Sequence, residues 1–190
     1  MTSNRLQPEI LGETRLEQIA TITLAAATVI VGASIVAEGD LARMLNGVAG
    51  LAWFASSAMF IAEGRRRGAT AIQWVGVIAL TAGVAFVVKP SDIVLATIGF
   101  TSAAFVAGMI MRRDPMLWAK MIPALYLPLH IGSAVIKAAG RSALGMESSI
   151  RSEPPPTAVI VPAVMLAEAM VGGVIAREIA SRRAARPAPH

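Results

Sequence analysis

The segment IVLATIGFTSAAFVAGMIM at residues 93–111 decides the fold, because it is apolar and carries no charged residue. A helix needs about 20 residues to cross a hydrocarbon core about 30 Å thick. In that medium only helices and closed barrels satisfy their own backbone hydrogen bonds. The segment therefore predicts a transmembrane helix.

Five further segments have the same character, and together the six predict an all-α fold: a polytopic membrane bundle of six transmembrane helices. The predicted spans are residues 19–37, 44–62, 70–88, 93–111, 117–138 and 158–176. They divide the chain into an N-terminal segment at 1–18, a transmembrane domain at 19–176 and a basic tail at 177–190. The first span is expected to be a retained anchor, because its apolar run is long for a signal peptide.

Composition agrees with this class of protein. The chain is 55% hydrophobic and 15% charged, which is too apolar for an ordinary soluble domain. Its net charge of +5 comes from basic residues beside apolar spans. This placement predicts membrane lipids with anionic headgroups as partners and argues against nucleic acid. The absence of cysteine excludes disulfides, thiol catalysis and iron–sulfur clusters. No cofactor, metal site or enzymatic activity is predicted.

Basic residues also predict the orientation, since they concentrate on alternate loops. With a cytoplasmic N-terminus, eleven lie on the cytoplasmic side: Arg5, Arg15, Arg65, Arg66, Arg67, Arg112, Arg113, Arg177, Arg182, Arg183 and Arg186. Five lie on the other side: Arg43, Lys89, Lys137, Arg141 and Arg151. The positive-inside rule then places both termini in the cytoplasm, in the plasma (inner) membrane. Lys120, near the cytoplasmic end of span five, is expected to extend its ammonium group towards the interface.

Small residues predict close packing between spans. They recur four residues apart in span four at Gly99, Ala103 and Ala107, and beside them at Ala104 and Gly108. The same spacing occurs in span six, at Ala169 and Gly173. Such rows let helix backbones approach closely in lipid, either within a compact bundle or at a dimer interface.

An internal similarity appears at an offset of 52 residues. It aligns Asp40, Leu41, Gly47, Trp53 and Met59 with Asp92, Ile93, Gly99, Phe105 and Met111. Spans one to two and three to four therefore resemble copies of one helical hairpin.

With turns such as AEGDLARMLNGVAG at 37–50 and VKPSDIVLATIGF at 88–100, the chain resembles the acid-resistance membrane proteins of the HdeD type over residues 20–113. The resemblance implies a fold of three such hairpins, possible homo-oligomers or partner membrane proteins, and a stress-related role. It transfers no functional residue.

Polar residues inside the spans are the candidates for a specific function. Glu168 in span six and His130 in span five, with Tyr126 one turn away, form a candidate intramembrane polar site. A charged group at the bilayer centre costs roughly 2.5 to 3.5 kcal/mol, so Glu168 should face protein or water. His130 is its best ionisable partner.

Two prolines accompany this site in span five. Pro123 and Pro128 lie in MIPALYLPLHIG at 121–132 and supply no backbone N–H. They predict carbonyls without their usual donors near Ala119 and Ala124, and a kink or an unwound turn between Met121 and Leu129.

Two functions remain open from the sequence. The first is a non-enzymatic bundle that associates with lipids or partner membrane proteins, as a stress or assembly factor. The second is a small transporter or proton-coupled carrier that uses Glu168 and His130, since broken spans often line transport sites.

Overall fold

A computed structural model of the chain describes residues 13–87, 93–110, 114–143 and 157–184, and this part of the chain is helical without a strand. The helices are α1 Arg15–Val36, α2 Gly39–Arg66, α3 Ala71–Val87, α4 Ile93–Ile110, α5 Pro115–Ala143 and α6 Thr157–Ala184. Each predicted span coincides with one helix, so the all-α prediction is confirmed. Of the predicted terminal segments, residues 1–12 and 185–190 lie outside the described residues.

Two helical segments among the described residues are long and apolar enough to cross a bilayer, at Arg15–Ser34 and Gly39–Arg66. Shorter apolar helical segments lie at Ala71–Ala85 and Thr97–Ile110. Length and composition alone support a membrane location only weakly, because the core helix of a soluble protein passes the same test.

Helices α1 and α2 pack against each other as a long hairpin. Gly39 begins α2 with a φ of 59°, a left-handed conformation that glycine adopts without a steric penalty. Along the hairpin, the hydroxyl of Ser56 donates to the carbonyl oxygen of Ala20 at 2.7 Å. Near the turn, Ser34 Oγ lies 2.8 Å from Asn46 Oδ1. These polar contacts fix the register of the two helices.

Helix α5 lies at the centre of the bundle and contacts all five other helices. Its first half is almost entirely buried, and Trp118 packs edge-on against Trp74 of α3 with ring centroids 5.4 Å apart. Helix α3 packs mainly on α5, and α4 mainly on α6. The packing of α3 with α4 therefore does not repeat the tight α1–α2 hairpin.

Two members of the predicted row in span four, Ala104 and Gly108, lie inside the bundle where α4 meets α6. Gly173, from the predicted row in span six, faces α5 instead, where an added Cβ would lie 2.9 Å from the Cβ of Ala119. A Cβ added to Gly172 would lie 3.0 Å from both the backbone nitrogen of Phe105 and the carbonyl oxygen of Thr101. A Cβ added to Gly108 would lie 2.7 Å from the Cβ of Ala176. The two backbones therefore approach so closely that only glycine fits at these positions.

Large apolar side chains cover the outside of the bundle. Those that are more than half exposed are Ile19, Ile22, Val29, Val36, Leu41, Met44, Val48, Leu51, Ile72, Val75, Val94, Ile98, Ile110, Val171 and Val174. Soluble monomers seldom expose contiguous apolar patches of more than a few hundred Å². The outer surface thus suits an apolar environment.

Candidate functional site

Two of the predicted site residues, Tyr126 and His130, come together on α5. Their rings stack with centroids 5.6 Å apart. Phe100 of α4 meets the Tyr126 ring edge-on at 5.2 Å. Tyr126 is buried and His130 is exposed, so the stacked pair extends from the core to the outside of the bundle.

The third predicted residue, Glu168, lies on α6 and is partly buried against α4. A side-chain hydrogen bond joins it to Thr97. Its Oε2 atom is buried and makes no hydrogen bond to any described residue. Because Thr97 and Phe100 are three residues apart on α4, the contacts of Glu168 and of Tyr126 with α4 lie about one helical turn apart.

The helix-breaking residues Pro123 and Pro128 both lie inside α5, which is helical without interruption through residues 121–129. The sequence predicts a kink or an unwound turn here; the unwound turn is therefore absent, and the kink stays a prediction. The prediction of a carbonyl without its usual donor is confirmed at Ala124, four residues before Pro128. This carbonyl accepts hydrogen bonds from Ser57 Oγ at 2.7 Å and Trp53 Nε1 at 3.0 Å. Side chains of α2 thus replace the missing backbone donor.

A second polar site, which sequence analysis missed, lies where the start of α1, the end of α2 and the start of α5 meet. We call it the buried ionic cluster, and its members are Glu13, Glu17, Glu63, Arg67, Asp114 and Lys120. Its pairs join residues up to 107 positions apart in the chain. The cluster therefore connects three helices at one end of the bundle.

Arg67 is the centre of this cluster. Its guanidinium contacts the carboxylates of Asp114 at 2.6 Å, Glu63 at 2.7 Å and Glu17 at 2.8 Å. Only 8% of the Arg67 side chain is exposed. The sequence predicts only that Arg67 lies on the cytoplasmic side, and the three carboxylates that enclose its guanidinium were not predicted.

Lys120 is the second cation of the cluster. Its Nζ lies 2.5 Å from Glu13 Oε1 and 3.1 Å from Glu17 Oε1, and the whole residue is buried. The ammonium group is therefore enclosed by carboxylates of α1 and of the residues before it. Its extension towards the membrane interface, which the sequence predicts, stays a prediction. Glu17 uses one oxygen for Lys120 and the other for Arg67.

The electrostatics of the cluster favour permanent charge on Arg67. Burial lowers the pKa of its guanidinium, but hydrogen bonds with Glu63 and Asp114 and the charges of Asp114 and Glu17 raise it above its usual value. Removing an ion from water costs several kcal/mol, which a buried pair recovers only with good geometry and further hydrogen bonds. The short contacts of Arg67 meet that condition.

A small cleft opens beside the cluster. Glu13, Glu17, Asp114, Met116 and Arg177 contribute to its lining, so α6 joins the other three helices at this end. Within the described ranges, no group of three or more His, Asp or Glu residues is placed to hold a metal ion. The ion pairs of the buried ionic cluster are suited to holding the ends of α1, α2 and α5 together.

Part of this cluster has a signal in the sequence. Glu63 and Arg67 lie four residues apart at the end of an apolar run, as do Glu13 and Glu17 at the start of another. Side chains with this spacing share one face of a helix. The pairing of these residues with Asp114 and Lys120 has no local signal, since only the packing of α5 creates it.

Comparisons with protein-family models, with curated proteins and with solved structures give no match. The resemblance to the HdeD type accordingly stays a prediction from the hairpin pattern.

Proposed function

We propose that this protein is a non-enzymatic integral membrane protein with six transmembrane helices, which acts by association with lipids or partner membrane proteins. In this proposal it is a stress or assembly factor of the plasma (inner) membrane, and both termini are cytoplasmic.

The observation that carries the proposal is the distribution of polarity. Apolar side chains such as Ile72 and Val36 are more than 80% exposed, whereas Glu17, Glu63 and Lys120 are at most 1% exposed. Soluble folds seldom combine aliphatic side chains this exposed with charged residues this buried. In lipid, aliphatic side chains face outward, and charged residues face the bundle interior and pair with one another.

Topology is tested with two reporter fusions. A reporter active only in the cytoplasm should be active when fused to His190 and silent when inserted near Ser149. The expectation follows from eleven basic residues against five on the two sides. Activity near Ser149 with silence at His190 would contradict the proposed orientation.

Association is tested on protein extracted together with its surrounding bilayer in polymer nanodiscs. Native mass spectrometry of this material should show retained phospholipid, a second copy of the chain or a defined membrane protein at fixed stoichiometry. Bare monomer that releases all lipid in mild detergent would contradict the proposed role.

The carrier is the second candidate, and one observation favours it: the buried Oε2 of Glu168 makes no hydrogen bond to a described residue. It is tested in proteoliposomes with an imposed pH gradient. Proton flux that Glu168→Gln abolishes would establish the carrier, because the amide keeps the shape of the side chain but cannot titrate. Flux equal to that of protein-free liposomes would remove this candidate.

A further inference from the structure

Burial divides the arginines at the end of the bundle that holds the buried ionic cluster. Arg67 is enclosed, whereas Arg15, Arg65, Arg66 and Arg177 are exposed, and we call these four the exposed arginines. Within the described part of the chain, Arg15, Arg65 and Arg177 make no ion pair. Arg66 is 69% exposed and lies 3.8 Å from Glu63.

Most acidic residues at this end are buried or paired with a cation of the buried ionic cluster. Glu17, Glu63 and Asp114 are buried, and Glu13 binds Lys120. At the opposite end, the exposed Arg43 is paired with the exposed Asp40 at 3.3 Å. The exposed side chains at this end are therefore mostly basic, although the buried ionic cluster holds four carboxylates and two cations. The exposed Glu178, beside Arg177, is paired with Arg182 at 2.8 Å.

Apolar side chains adjoin the exposed arginines. Ile19, one turn after Arg15 in α1, is 53% exposed, and Val174, one turn before Arg177 in α6, is 55% exposed. A ligand that contacts both kinds of side chain needs an anionic group joined to a hydrocarbon. Free phosphate lacks that combination, whereas an anionic phospholipid carries both groups in one molecule.

We propose that the exposed arginines bind the phosphate groups of anionic phospholipids at this end of the bundle. The inference rests on the proposed function, and it specifies which lipids associate and where. Guanidinium groups suit this ligand, since their planar donors match phosphate oxygens bidentately. In this proposal Ile19 and Val174 contact the acyl chains of the same lipids.

The test measures lipid affinity of the full chain in a neutral detergent, from the rise in melting temperature on titration with dioleoylphosphatidylglycerol or dioleoylphosphatidylcholine. The unaltered protein should bind the anionic lipid more tightly. Arg177→Gln should lower that affinity about fivefold, which corresponds to about 1 kcal/mol for one basic residue near the surface. Arg15→Gln should act similarly. Arg43→Gln, the matched control at the opposite end, should leave the affinity unchanged.

Three results would overturn the inference: equal affinity for the two lipids, an equal loss in Arg43→Gln, or tighter binding of a soluble oligoglutamate peptide, which would indicate an acidic protein partner. Inorganic phosphate at equal concentration should give no comparable stabilisation.

Extraction of cell membranes with alkaline carbonate separates this inference from the proposed function. A chain that stays in the membrane but lacks anionic preference contradicts only this inference, whereas a chain that is extracted contradicts the proposed function as well.

Discussion

The hydroxyl of Ser57 on α2 lies 2.7 Å from the carbonyl oxygen of Ala124 on α5, the carbonyl that Pro128 leaves without a backbone donor. The proline and the serine are thus complementary parts of one helix contact. This contact gives Pro128 a role in packing. Such a role agrees with the proposed association function and does not require α5 to be broken as in a transport site.

Ser57→Ala should lower the free energy of unfolding by about 1 kcal/mol, because the buried carbonyl of Ala124 loses a donor. In a Pro128→Ala background the same change should cost less, since the substituted alanine supplies a backbone N–H. Denaturant titration in mixed micelles of the two single variants and the double variant gives this coupling. Strictly additive effects would show that the proline and the serine act independently.

Arg67→Gln should destabilise the fold by about 3 to 5 kcal/mol, because it leaves buried carboxylates without their cation. Arg66→Gln is the matched control. The Arg66 side chain, next to Arg67 in the sequence, is largely exposed, so its substitution should change stability little. Thermal unfolding in detergent measures both. Equal melting temperatures for the two variants would contradict the assigned burial of Arg67.

Gly172→Ala should destabilise the α4–α6 contact by about 1 to 3 kcal/mol, because its Cβ would meet backbone atoms of α4 that cannot move aside. Gly83→Ala is the control: a Cβ there meets nothing within 4 Å. Since alanine favours helix over glycine by up to about 1 kcal/mol, the control should be neutral or stabilising. A destabilised Gly83→Ala with an unaffected Gly172→Ala would reverse the expected order.

Glu168→Gln should leave stability nearly unchanged if Glu168 is structural, since the amide still bonds to Thr97. Glu168→Leu should lower it by about 1 kcal/mol by removing that hydrogen bond. Unfolding titrations of the two variants side by side measure the difference. Greater stability of the leucine variant would show that Glu168 is held at a cost to the fold, as expected of a functional site.

Helix positions were predictable because hydrophobicity is a local property of the chain. The run at 93–111 corresponds to α4 at Ile93–Ile110 almost residue for residue. The stacking of Tyr126 on His130 was predictable for the same reason, since one helical turn brings side chains four residues apart onto one face.

The buried ionic cluster could not be predicted in this way. Arg67 and Asp114 are 47 residues apart, and Glu17 and Lys120 are 103 apart. Their contacts depend on how α1 and α2 dock on α5, which hydrophobic periodicity does not specify. Counting charges by loop assigns Arg67 to one side of the membrane and gives no information on the carboxylates that enclose its guanidinium.

The central position of α5 has a consequence for biogenesis. Helices α1 to α4 leave the ribosome first, yet the helix that contacts all of them is made afterwards. Until Asp114 and Lys120 emerge, Arg67 lacks one of its three carboxylate partners and Glu17 lacks one of its two cationic partners. The chain therefore passes through a period in which α1 and α2 can already pack on each other while the buried ionic cluster is incomplete, and a chain whose translation stalls before α5 would keep that incomplete cluster.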